Sequence, residues 1–129
     1  MTEWTELFVK VLDKLPLTLL MTGLSLFFSI LLAVAVAIVR IRRKPISYTI
    51  VSFYISFMRC TPLLVQLFLV YYGLPVLLMV ISIDINGWNR LVFLIIAFTL
   101  HTAAYLSEVI RSAYLAEGKD QLEAAYSVG

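Results

Sequence analysis

Leu17–Val39 is a run of 23 residues without one ionisable side chain, and four cationic residues, Arg40, Arg42, Arg43 and Lys44, follow it directly before Pro45. At about 1.5 Å per residue the run makes roughly 35 Å of helix, enough to cross a hydrocarbon core of roughly 30 Å with some tilt. A cleaved signal peptide is the competing reading, with Ala33-Val34-Ala35 as its small-residue cleavage site. The run is too long for that, and the segment before it carries Glu3, Glu6 and Asp13 against Lys10 and Lys14, the wrong balance for a secretory leader. With the cations on its far side, the positive-inside rule puts the N-terminus outside the cell and residues 40–46 in the cytoplasm.

The rest of the chain has the same character. Hydrophobic residues make up 62% of the 129, charged residues only 14%, where a soluble domain carries about a quarter charged. From Ser47 to Ile83 the only charge is Arg59. Twelve helical residues from Ser47 to Met58 reach only about 18 Å, so the expectation is one long span over about 46–72, with Arg59 inside it and Pro62 kinking it. Gly73-Leu74-Pro75 then ends the helix, and an outer loop occupies about 76–90, with Val76–Ile83 near the interface. Trp88 in that loop and Trp4 near the N-terminus suit an outer aromatic belt. A third span covers about 91–112, and its parity returns the tail, 117–129, to the cytoplasm. The fold class is therefore all-α, a polytopic membrane protein with three visible spans.

Several polar residues sit where they are costly. Arg59, counted from Ile46, is about 20 Å along its helix, so it must face protein or a wet cavity. Contact with a charged substrate or gate, and an ion pair that fixes helix arrangement, both fit that depth. His101, Tyr105, Glu108 and Ser112 follow one another at spacings of four, three and four, one polar face on the third span. Glu108 and Arg111, three apart, are placed to pair near the inner interface, and His101 reads first as a hydrogen-bonded interior histidine. Thr18, Thr22, Ser25 and Ser29 form a stripe on the first span that suits close helix packing.

Much chemistry is excluded. The chain has one cysteine, Cys60, and one histidine, which removes disulfide frameworks and multi-histidine metal centres. Its net charge of +2 gives no electrostatic case for nucleic acid. Gly118-Lys119 lacks the upstream glycine of a phosphate loop and is followed by Asp120. The expectation is no enzyme, no metal and no cofactor on this chain. After Gly118 the tail reads as a short helix, capped by Asp120 and stopped at Gly129, too short to be stable without a docking partner.

Three stretches in order resemble the permease subunits of polar amino-acid ABC importers, the histidine, glutamine, arginine and cystine type. The first is Met58-Arg59-Cys60-Thr61-Pro62-Leu63-Leu64-Val65-Gln66-Leu67-Phe68 with Tyr71-Tyr72-Gly73-Leu74-Pro75. The second is Ala104-Tyr105-Leu106-Ser107-Glu108-Val109-Ile110-Arg111, and the third Gln121-Leu122-Glu123-Ala124-Ala125 with Gly129. The resemblance runs from about Leu15 onward. It implies a five-span type I importer permease in the bacterial inner membrane, paired with a second permease subunit as a homo- or heterodimer in the lipid bilayer. Cytoplasmic ATP-binding subunits would hold the ATP, and an extracytoplasmic protein would deliver a polar amino acid, with cystine favoured. It implies ATPase coupling through Gln121, Glu123, Ala124, Ala125 and Gly129. Arg59, Thr61, Gln66, His101, Tyr105 and Glu108 become candidates for translocation or gating, with Glu108 and Arg111 as a helix ion pair.

The chain departs from the family pattern at Cys60, where glycine is usual after the arginine, and at Gly118 and Asp120, which flank Lys119 where P-K-G is common. The second half of the coupling loop and two further spans are expected beyond Gly129. Two other classes compete: a subunit of a small proton-coupled transporter using a buried carboxylate, and a non-transporting membrane anchor.

Overall fold

The computed structural model describes residues 2–129, with the side chains of 118–120 outside that description. The described residues are mostly helical and are built around two long helices. α1 spans Thr2–Arg42 and α5 spans Arg90–Ser127, 41 and 38 residues. At about 1.5 Å per residue α1 is roughly 62 Å long, twice the hydrocarbon thickness, so it extends well beyond the uncharged run at 17–39. Pro16 lies inside it without ending it. Between the long helices lie α2, Pro45–Cys60, then α3, Leu63–Phe68, a π-helical turn at Leu69–Gly73, and α4, Leu74–Met79.

α1 and α5 pack side by side. The Ser29 hydroxyl donates to the carbonyls of Ser25 at 2.6 Å and Thr99 at 3.3 Å, while Arg40, farther along α1, meets Glu108, farther along α5. Contacts that advance together along both sequences mean that the helices run parallel. Small side chains make this approach possible: Ser25, Ser29, Ala33, Val36 and Ala37 are the buried face of α1, and Ala97, Ala103, Ala104 and Ser107 that of α5. Val36, Ile55 and Ala104 then bring α2 onto the same core. The Tyr54 hydroxyl donates to the Leu100 carbonyl at 2.5 Å, a bond across two helices.

Parallel long helices oblige the middle segment to bring the chain back across the molecule. It does so with a corner. α2 and the Leu63–Met79 segment are bent by 117° at Thr61–Pro62, so the single kinked span expected over 46–72 is two helical pieces set at a sharp angle. Proline disfavours helical backbone in the residue before it, and Thr61 is accordingly extended, φ −103° and ψ 140°. Gly73-Leu74-Pro75 does not end the helix either. Pro75 falls in the first turn of α4, where a missing N–H costs little, and the wider π turn just before it leaves the helix unbroken. The outer loop is correspondingly shorter than 76–90. Ser82, at φ 63°, turns the chain, Ile85 is buried beneath the loop, and the Asn89 side chain accepts from the Leu91 N–H at 3.0 Å to start α5.

At its other end α5 runs without interruption through the tail, so the separate helix expected after Gly118 is part of α5. The expected Asp120 cap concerns a side chain outside the described residues. Among the described residues two helices are long and apolar enough to cross a membrane, or three if the bent pair is one span.

Candidate functional site

The corner at Pro62 exposes backbone carbonyls that a continuous helix would satisfy. Gln66, one turn into α3 and 2% exposed, takes up that role. Its amide nitrogen lies 2.7 Å from the Met58 carbonyl, 2.9 Å from the Thr61 carbonyl and 2.9 Å from the Thr61 hydroxyl. The Thr61 hydroxyl itself donates to the Phe57 carbonyl at 2.6 Å. Two of those three neighbours are carbonyls that can only accept, which fixes the orientation of the amide. Its oxygen therefore faces Nδ1 of His101 at 2.9 Å, and Nδ1 must carry the hydrogen. Thr61, Gln66 and His101 are brought together as one network, the interior histidine read from the sequence being held by Gln66.

Beside this network a cavity of about 540 Å³ opens between α1, α2 and α5. Ser52, Ser56, Arg59 and Cys60 line it from α2, Tyr105 and Glu108 from α5, and Arg40 from α1. The Arg59 guanidinium lies over the Tyr105 ring, 5.7 Å from its centroid, an attraction of about 0.5–1 kcal/mol for an exposed pair. Arg59 reaches no carboxylate among the described residues, so its charge is available to the cavity. The sequence requires Arg59 to face protein or a wet cavity and to have a partner; the ion pair it allows is not formed among the described residues, and the contact found is the Tyr105 face. Tyr105 also touches the His101 ring, centroids 5.0 Å apart.

Glu108 is engaged differently from the local pair expected with Arg111. Its first partner is Arg40, in an ion pair between α1 and α5 whose side chains are only 12% and 25% exposed. Arg111 stands at 3.9 Å from the other carboxylate oxygen, the outer limit of an ion pair. Arg40 was the residue missed by reading its cluster only as an inner charge flank. A signal existed: Met21, Ser25, Ser29, Ala33, Val36 and Ala37 are the buried stripe of α1, and Arg40 is its next step. Gln66 and Thr61 face the corner and Arg59, Tyr105 and Glu108 face the cavity, so the candidates divide into two adjoining groups. The described residues contain no His, Cys, Asp or Glu group that could hold a metal.

Gln121, Glu123, Ala124 and Ala125 lie roughly 24–30 Å along α5 from Tyr105, counted at about 1.5 Å per residue. All four are exposed, and Gly129 follows the helix end with φ 91°. They share no contact with the cavity and are connected to it by α5 itself.

Comparison with known proteins gives a consistent answer. Residues 9–129 match the family described as "binding-protein-dependent transport system inner membrane component". The probable amino-acid ABC transporter permease PatM of Vibrio harveyi is 42% identical over 124 residues, covering 96% of this chain and 54% of that protein. The L-cystine transport system permease TcyL of Bacillus subtilis is 41% identical over 115 residues, covering 89% of this chain and 48% of that protein. A crystal structure of an amino acid ABC transporter with histidines superposes with a TM-score of 0.75 at 32% identity, over 100% of this chain and 56% of that one. The chain spans about half the length of the curated relatives it matches. The chain belongs to the family of inner-membrane components of binding-protein-dependent ABC importers.

Proposed function

We propose that this chain builds part of the pathway of an ATP-driven importer of polar amino acids, as a permease subunit and not as an enzyme. The cavity carries the reading. An α-amino acid presents a carboxylate to any protein that moves it, and Arg59 offers a guanidinium with no competing carboxylate on a wall that also holds Tyr105 and Ser56. Glu108, on the same helix as Tyr105 and already paired with Arg40, adds a compensated charge to the cavity lining that tolerates a zwitterion. Cystine is the favoured substrate, supported by the likeness to TcyL, which is named for L-cystine transport.

ATP binds elsewhere in this account, on cytoplasmic subunits that grip Gln121–Gly129, and an extracytoplasmic binding protein delivers the amino acid to the opposite face. The N-terminus then lies outside and residue 129 in the cytoplasm of a bacterial inner-membrane complex with a second permease subunit. Exposure of Glu123, Ala124 and Ala125 supports the docking role: alanines let a helix approach a cleft closely, and Glu123 can form a charge-assisted bond with a basic residue there. α5 joins this end rigidly to Tyr105 and Glu108, so a tilt imposed at the tail reaches the cavity as a rigid-body movement. The test is Glu123→Lys in the intact transporter. Membrane insertion should be normal, while ATPase co-purification and uptake fall at least tenfold; unchanged co-purification and uptake would refute the docking role.

A further inference from the structure

Arg59 and Cys60 are the last two residues of α2, where a helix would ordinarily fray and its side chains scatter. Here the backbone is gripped on both sides of them. The single amide nitrogen of Gln66 holds the Met58 carbonyl, one residue before Arg59, and the Thr61 carbonyl, one residue after Cys60, at 2.7 and 2.9 Å. The other end of the same side chain accepts from His101 on α5 at 2.9 Å, and His101 stacks beside Tyr105, the ring over which Arg59 lies. The contacts close a ring: corner backbone, Gln66, His101, Tyr105, Arg59 and back to the corner. Gln66 is 2% exposed and does not line the cavity, so it has no access to anything that enters.

We infer that Gln66 is a positioning residue for anion recognition in the cavity: it sets where the Arg59 guanidinium stands, and thereby the affinity of that wall for a carboxylate, without touching the substrate. The inference rests on the proposed transport role only for the identity of the anion. The positioning itself is a property of the resting structure and can be read without transport.

Cys60 provides the reporter. Its thiol is exposed and lines the same cavity next to Arg59. In the full-length permease complex, the rates of Cys60 modification by anionic sulfonatoethyl methanethiosulfonate and by the neutral ethyl reagent are compared, with the modified peptide identified by mass spectrometry. Their ratio reports the local positive charge and cancels changes in general accessibility. Arg59→Gln should lower the anionic-to-neutral ratio about fivefold, as expected for one unit charge a few ångströms away in water.

Gln66→Met keeps the bulk of the side chain and removes every hydrogen bond, and it should lower the ratio by a similar factor. Adding Arg59→Gln to it should lower the ratio no further. A purely structural role would change both rates together and leave the ratio at the wild-type value, and that result overturns the inference. If Gln66→Met fails to insert, His101→Asn, which keeps a donor, should retain the ratio while His101→Phe lowers it; equal ratios in that pair overturn the inference as well. None of these readings depends on uptake, so a failed transport reading leaves them intact.

Discussion

Two arginines in this chain illustrate how burial and partnership divide the work of a charged residue. Arg40 is mostly buried and committed to Glu108, whereas Arg59 lies against an aromatic face with its charge toward a cavity. The first arrangement is structural: removing one partner of a buried pair strands the other charge, at about 3–5 kcal/mol. Glu108→Gln should therefore destabilise the protein by about 3 kcal/mol, with Arg40→Gln plus Glu108→Gln less damaging than either alone. A chemical-denaturation series in detergent measures this, and strictly additive losses would contradict the pair. Tyr54→Phe removes one interhelical hydrogen bond, donated to Leu100, and should cost about 1 kcal/mol in the same assay. The Nδ1 hydrogen of His101 is likewise committed, to Gln66.

At the scale of helices, the corner between α2 and α3 is the feature that departs most from a plain bundle. Pro62 favours it by excluding helical backbone at Thr61, and Gln66 stabilises it by capping the freed carbonyls. Each contribution alone should suffice to hold the bend. Spin labels at the exposed positions Ile50 and Val76 should keep their short separation in Pro62→Ala. They should move toward the roughly 39 Å of a continuous helix, at about 1.5 Å per residue, when Gln66→Leu is added. Straightening by Pro62→Ala alone would show that the cap cannot hold the bend by itself. Much of this element map was legible in the chain: uncharged runs marked the long helices, and the Arg59–Pro75 and Tyr105–Arg111 stretches pointed to the family. The size of the bend was not, because proline signals a break but the angle depends on what caps it, and Gln66 is eight residues from Met58. The π turn at Leu69–Gly73 left no compositional mark. Arg40 was hidden because a cluster of cations after a span satisfies the orientation rule before any pairing is considered.

On the scale of the whole molecule, α1 and α5 form a parallel pair joined by small residues, with the bent α2–α4 segment laid across it. The cavity forms where the three meet, and α5 carries its wall onward to the exposed tail. Such a construction links an event at Gln121–Gly129 to the surroundings of Arg59 through one continuous helix, which is what a transporter powered from one side of a membrane requires. The proposal at this scale is that the cavity lies on the pathway of an ATP-driven amino-acid importer. The most direct test is the initial rate of L-cystine uptake into proteoliposomes holding the intact transporter, with its ATPase subunits and binding protein. Uptake should stop when ATP is replaced by a non-hydrolysable analogue, and Arg59→Gln should raise the apparent KM about tenfold, the loss expected of one charge-assisted hydrogen bond. Uptake that continues at the same rate without hydrolysable ATP would contradict the proposal.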